Sequence, residues 1–172
     1  LPKQCFVCGR TEDDKMDDHP IMENLKLTMG FHDFQGWPWP NVWLGTSVEN
    51  QKYAEIRIPQ LVSVPAVVHF LSCEPLLGPI DFNDIMPGGP SGPWTAPPDG
   101  SERRLNFLRD IEWIIAGGES GPNYRPMDPS WAREIRDQCK AAGAAFYFKQ
   151  SNGSRSETNP TLDGREWRQF PT

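Results

Sequence analysis

Residues 111–149 read IEWIIAGGESGPNYRPMDPSWAREIRDQCKAAGAAFYFK, and the fold follows from that stretch. Glu112–Ala116 is a short, continuously apolar run of the kind that forms a strand covered on both faces. Asp128 then offers an N-cap side chain, Pro129 suits the first helical turn, and Gly143 supplies a C-terminal stop. Between them Trp131, Ile135, Cys139 and Ala142 recur at helical spacing along one face, and Arg133 and Asp137 make an i, i+4 pair on another. Ala145–Lys149 is a second apolar run. Strand, helix and strand in quick succession form a βαβ unit, whose strands must be parallel.

The same reading extends toward the N-terminus. Asn41–Val48 (NVWLGTSV) and Val67–Cys73 (VVHFLSC) read as two more buried strands, and Glu49–Arg57 between them as a helix that Pro59 interrupts. Within Asn83–Asp110 the stretch MPGGPSGPWTAPPDGSERR is too rich in proline and glycine for a helix or a central strand, and it reads as a surface insertion. The expected fold class is therefore α/β: a parallel-stranded (β/α) partial barrel with a long Pro/Gly-rich insertion. Its divisions are an irregular cover segment at 1–40, the half-barrel at 41–152 with its insertion at 83–110, and a tail at 153–172. The first strand would leave an apolar edge open, which residues 1–40 or a second copy of the chain would have to cover.

Composition narrows the class further. Seven Trp, nine Phe and three Tyr spread over 172 residues argue for a packed core. No apolar run approaches the roughly 18 residues of a membrane span, and no secretory signal opens the chain. The net charge is −6; residues 1–86 carry 6 basic against 12 acidic side chains, and residues 87–172 carry 11 against 11. Neither half has the basic footprint of a duplex nucleic-acid binder. Four cysteines, at 5, 8, 73 and 139, do not make a disulfide framework, so a reduced, cytoplasmic protein is expected, in a bacterium or a phage-infected cell.

The chemistry gathers where the strands end. The first strand finishes on Ser47 and Glu49, the second on Cys73 and Glu74, the third on Gly117, Gly118 and Glu119, and the fourth on Lys149. In a parallel α/β sheet these ends share one rim, where ligands bind. Three carboxylates, an ammonium, hydroxyls and a thiol there suit acid–base work or the positioning of a polar ligand. For Glu49, capping of the next helix is an equal account. Glu74 precedes a proline and Glu119 sits in a glycine turn, so both fit a functional role better than a cap.

The segment Gly117-Gly118-Glu119-Ser120-Gly121 either brings backbone amides to a ligand or makes a tight βα turn, with Arg125 placed to fork onto a carboxylate or phosphate. It lacks the spacing of a dinucleotide fingerprint or a P-loop. Cys5 and Cys8, in CFVCG, resemble half of a zinc knuckle whose other half is missing; His19 and His32, at loose spacing with Asp17 and Asp18 nearby, are the further donors on offer. His69 inside a strand reads as a satisfied core histidine, and Cys139 as core. Trp37-Pro38-Trp39-Pro40 reads as a rigid lid over a barrel end, with base stacking as the alternative.

Five segments together carry a family resemblance: Trp37–Gln51 (WPWPNVWLGTSVENQ), Phe70–Asp81 (FLSCEPLLGPID), Ile111–Gly121, Arg125–Cys139 and Phe146–Gln150. The chain resembles the C-terminal half of a phage and bacterial family named for the phage gp-thirty-seven and gp-sixty-eight proteins, whose reaction is unassigned. The likeness covers roughly residues 35–170. It implies a (β/α) partial barrel and a kinship with radical S-adenosylmethionine enzymes, whose N-terminal half holds an iron–sulfur cluster on three cysteines. This sequence has no such triplet. With the polar strand ends read above, catalytic roles are expected for Glu74, Glu119 and Lys149. Cofactor or substrate contacts are expected for Ser47, Glu49, Cys73, Gly117, Gly118, Ser120, Gly121 and Arg125, with a small, nucleotide-like ligand at the rim. A preceding cluster-binding half would then cover the open edge. The contrasting expectation is a non-catalytic module for single-stranded nucleic acid or a protein partner.

Overall fold

The computed structural model describes residues 37–85 and 107–172. Strands β1 (Trp43–Ser47), β2 (Val68–Cys73), β3 (Trp113–Gly117) and β4 (Ala145–Gln150) form one all-parallel sheet in the order β1-β2-β3-β4. Helix α1 (Gln51–Val62) connects β1 to β2, and α2 (Pro129–Ala142) connects β3 to β4. The four strands are those read from the sequence, shifted by a residue or two at their ends. Thr46, Leu71, Ile114 and Phe146 lie in register across all four. Leu71, Ile114 and Phe146 of that row are buried with Ile58 of α1 and with Ala132, Ile135 and Cys139 of α2. The neighbouring row of Gly45, Phe70, Trp113 and Ala145 points to the opposite face, as the pleat requires.

Both helices lie against the same face of the sheet. Between them, over β2 and β3, the layer is completed by two 3₁₀ turns, Phe82–Asp84 and Phe107–Asp110. Phe82, Ile85, Leu108 and Ile111 bury there in the common core. The first turn is held from both sides. Gln51 accepts from the Asp81 amide at 2.8 Å; Gln138 accepts from the Phe82 amide and donates to the Ile80 carbonyl, each at 2.8 Å. Of the proline-rich insertion, residues 86–106 lie outside the described residues.

Helix α2 begins and ends as its sequence predicts. Asp128 accepts from the Ser130 amide at 2.8 Å, and Gly143 adopts φ 82° while its N–H donates to the Cys139 carbonyl. The predicted Arg133–Asp137 pair does not form. Arg133 reaches Asp163 of the tail at 2.7 Å, and Asp137 takes Arg136 at 2.8 Å. The tail supplies a carboxylate that binds Arg133 and Arg136 together, and the local pair loses to it.

Helix α1 corrects the sequence reading twice. Its N-cap is Asn50, which accepts from the Tyr53 amide, rather than Glu49. It also runs through Pro59 to Val62. A proline there removes one backbone hydrogen bond and crowds the preceding turn, a cost of about 3 kcal/mol. Burial of Ile58 and Leu61 on either side of it, at about 1.5–3 kcal/mol each, outweighs that loss.

The two sheet edges differ. Along β4, the tail runs antiparallel: Phe148 donates to the Trp167 carbonyl at 2.9 Å and Gln169 to that of Phe146 at 3.1 Å. Along β1, no described strand follows, and Trp43, Gly45 and Ser47 are exposed. Of the expected cover, only 37–40 is described. Trp37 donates its indole N–H to the Pro65 carbonyl at 2.7 Å, at the foot of the sheet, and meets Trp39 edge-on. Residues 1–36, with Cys5 and Cys8, lie outside the described residues. His69 is buried and satisfied as expected, its Nε2–H donating to Val64 O at 2.7 Å. No described helix is long and apolar enough to cross a membrane.

Restoring the lost helical bond should be visible in stability. Pro59→Ala is expected to raise it by about 1–2 kcal/mol, less than the full cost of an interior proline because the unfolded chain also gains freedom. The measurement is a higher denaturant midpoint with an unchanged slope.

Candidate functional site

Parallel pairing brings the C-terminal ends of all four strands to one rim, and three ion pairs stand there. Glu74 leaves the end of β2 and meets Lys149 of β4, Nζ to Oε2 2.9 Å. The bridge spans β3, and Gly117 makes it possible: a Cβ at that position would lie 2.6 Å from Glu74 Oε1. That oxygen is buried and has no hydrogen-bond partner among the described residues. Glu49, beyond β1, takes Arg57 of α1 at 3.1 Å, and the same guanidinium donates to the Ser47 carbonyl at 2.8 Å.

Glu119 follows β3 and is gripped by Arg125. The guanidinium donates to its two carboxylate oxygens at 2.7 and 3.0 Å, and the Arg125 amide adds a third bond at 2.9 Å. These bonds, the side-chain ones foremost, hold the Glu119 carboxyl at about 2. Each rim carboxylate thus has its own cation. Among the described residues no cluster of three His, Cys, Asp or Glu side chains could hold a metal ion.

The glycine loop is engaged by the chain itself. Gly118 donates to the Gln150 carbonyl at 2.9 Å and Gly121 to that of Gly153 at 3.0 Å. Gln150 returns a bond from Nε2 to Gly118 O at 2.8 Å. A Cβ on Gly118 would collide with the backbone of Asn152. The small residues therefore admit the segment after β4, and of the two sequence readings the tight turn describes these amides. Gly121 is needed for its φ of 119°. Ser120 is exposed and accepts from Ser156 at 3.3 Å.

Cys73 lies elsewhere. It points into the core on the helix side, fully buried, and burial pushes its thiol well above the ordinary value. Cys139, also buried, is pushed up to about 12. Neither thiol faces the rim.

Below the rim, the face without helices is aromatic. Trp113 is its centre, with ring centroids 5.9 Å from Trp43, 5.9 Å from Phe70, 6.2 Å from Tyr147 and 5.2 Å from Phe170 of the tail. Trp43 is 43% exposed and Phe170 55%. Phe70 lies over Gly45, where no side chain would fit. Above this floor, Ser47 and Ser72 stand in register on adjacent strands. Sequence reasoning missed the floor and Arg57. The floor's signal was present: Phe70, Trp113 and Tyr147 each stand an even number of residues from the rim residue of their own strand.

One comparison places this architecture. The family model for proteins of unknown function (DUF5131) matches residues 10–171. The chain belongs to that family. No curated protein and no solved structure matches it. The site therefore has to be read from its own geometry.

Two measurements test that geometry. In an NMR titration the Glu119 carboxyl is expected to have its midpoint near 2, and Arg125→Ala to return it toward 4.5. Because the folded value is depressed, the stabilisation is complete above the ordinary carboxylate range and disappears as pH falls through about 2. Gly118→Ala should destabilise the chain by about 1–3 kcal/mol in denaturant unfolding, since backbone rather than a yielding side chain blocks the methyl.

Proposed function

We propose that this chain is the ligand-binding part of an enzyme, a (β/α) partial barrel whose rim holds a small, polar, nucleotide-like molecule. The arrangement of helices supports the barrel reading. Strand order follows sequence order with no reversal, and both helices share one face, as in barrels and unlike doubly wound sheets. The observation that carries the functional reading is the Glu74–Lys149 bridge over Gly117. An ion pair open to solvent on the lysine side contributes little to stability, about 0–1 kcal/mol, so its partners exchange readily for a ligand's own charges. Among the described residues one Glu74 oxygen lacks a donor, and a ligand amine or hydroxyl reaching it would supply one. Lys149 is then freed for an anionic or carbonyl oxygen. Ser47 and Ser72 offer hydroxyls, and the aromatic floor offers a flat apolar surface. Glu119 and Arg125 carry the same exchangeable pair to the far side.

An iron–sulfur cluster does not fit the described residues. Their two cysteines are buried, protonated and on the helix side, and no three-ligand group is present among them. Cys5 and Cys8, the proposed zinc pair, lie outside the described residues. The likeness to radical S-adenosylmethionine enzymes therefore rests on the sequence resemblance, and no step is assigned to a cluster here. Its test is anaerobic reconstitution of the whole protein with iron and sulfide. With two buried thiols and no cysteine triplet, this chain is expected to give neither cluster absorbance nor cleavage of S-adenosylmethionine, and the appearance of both would restore that part of the reading.

The aromatic face favours a second reading, a stacking surface for single-stranded nucleic acid. The rim's balanced charges and the overall charge of −6 give it no electrostatic support.

Calorimetry with adenosine and S-adenosylmethionine separates the two. The small ligands are expected to bind, and Glu74→Gln and Lys149→Met each to weaken binding by about 10–100-fold, the loss of one charge-assisted hydrogen bond. Salt-dependent binding of an oligonucleotide, with no binding of either small molecule, would favour the stacking surface instead.

A further inference from the structure

The segment that closes the glycine loop carries Asn152-Gly153, the one Asn-Gly pair among the chain's eight asparagines. Asparagine is a thermolabile residue, most so before glycine, where no side chain shields the next backbone nitrogen from the carboxamide. We propose that Asn152 is a site of spontaneous deamidation, gated by the opening of Asn152 and Gly153 away from the glycine loop.

The reaction consumes only water. Gly153 N gives up its proton and bonds to Asn152 Cγ, and the side-chain nitrogen leaves as ammonia, which closes a five-membered succinimide. Water then opens the ring at one of its two carbonyls. One opening gives aspartate. The other gives isoaspartate, whose main chain runs through the former side chain and is one atom longer. Nothing is oxidised or reduced.

Three observations lead to this site. The first is that the fold does not require glycine at 153. Gly118 and Gly121 are needed for a close approach and for a positive φ, respectively. Gly153 lies outside the left-handed region, and a Cβ there would meet the Arg155 carbonyl oxygen at 3.4 Å, an ordinary contact. What glycine alone supplies at 153 is an unshielded backbone nitrogen.

The second is the way the reacting groups are held. Gly153 donates to the Glu119 carbonyl at 3.1 Å, within a bridge to Ser120, and Asn152 Oδ1 accepts from the Met127 amide at 3.2 Å. Ring closure removes the proton of the first bond and draws the carboxamide away from the second. Both bonds are at the long end of their range, in a half-buried segment that continues into the exposed residues 154–159. Such a segment opens locally, without unfolding the sheet.

The third is the fit against Gly118. A Cβ on Gly118 would collide with the Asn152 backbone nitrogen and Cα, so the two main chains lie directly on each other. The extra main-chain atom of isoaspartate falls in that contact. The product therefore cannot re-pair with the loop, and the modification fixes the open state and frees the loop bearing Glu119.

Peptide mapping by mass spectrometry after incubation of the full chain at mildly alkaline pH tests the site and its gate. The peptide with Asn152 should gain one mass unit and give a second, isoaspartyl product. Its rate in the native chain should be lower than in the urea-unfolded chain by roughly tenfold or more. Gly118→Ala, which pushes on Asn152, should move the native rate toward the unfolded one. Gly153→Ala should slow the unfolded chain several-fold. A native rate equal to the unfolded rate, or a Gly118→Ala chain no faster than the unmodified one, would overturn the gate. Modification mapping to other asparagines in place of Asn152 would overturn the site. Should Gly118→Ala fail to fold, a urea series below the midpoint on the unmodified chain replaces it: a rising rate supports the gate and a flat one overturns it.

Discussion

A chain that lays four strands in the same direction must climb from the top of the sheet back to its foot between each pair. Here the described parts of every return lie over the same face: α1, the two 3₁₀ turns and α2. All else in the molecule follows from that constraint. One face of the sheet is buried under its own crossovers and carries Leu71, Ile114, Phe146 and Phe148. The other receives nothing from the described parts of the crossovers, and its rings pack on one another and on Phe170. Parallel direction also collects the four C-terminal strand ends on one rim, which is why residues as far apart in sequence as Glu74 and Lys149 meet.

The tail links the edge of the sheet to the rim. Its distal part pairs with β4 and sets Trp167 edge-on to Phe146, with Arg136 and Arg165 against the indole. Its proximal part, Asn152 and Gly153, lies against the glycine loop, and the Asn152 side chain accepts from the Met127 amide ahead of α2. Anything that loosens the tail therefore disturbs the edge of β4 and the loop bearing Glu119 together. Asp163 ties the distal tail to α2 through two arginines, whose bonds hold its carboxyl below the usual range.

Much of this was legible in the sequence where one physical rule acted locally. Continuous apolar runs located the strands, and Asp128, Pro129 and Gly143 bounded α2 because capping depends on a few neighbouring residues. The readings that gave way depended on distant partners. Pro59 stays helical because Ile58 and Leu61 bury against the sheet, which no local rule reports. Arg133 prefers Asp163, thirty positions away. Gly117 and Gly118 looked like a ligand cradle; one clears the path of Glu74 and the other admits the backbone of Asn152, contacts made only once β2, β3 and β4 are side by side. Cys73 ends a strand on the helix side, and its place in the alternation, one residue out of phase with Ser72, already implied as much.

Pairing every rim carboxylate with a cation changes what the rim can recognise. Glu49, Glu74 and Glu119 are matched one to one by Arg57, Lys149 and Arg125 among the described residues, although the whole chain carries −6. Pairs of this kind present both signs of charge side by side rather than a single-sign field. Under the proposed function the rim would distinguish ligands by the separation and order of their own charges, since only a molecule presenting a donor to the carboxylate and an acceptor to the cation replaces both halves of a pair without leaving either unmatched. The aromatic floor beneath adds shape to that charge pattern. Selectivity of this sort resides in the spacing of strand ends, which the parallel register sets and which no single side chain determines.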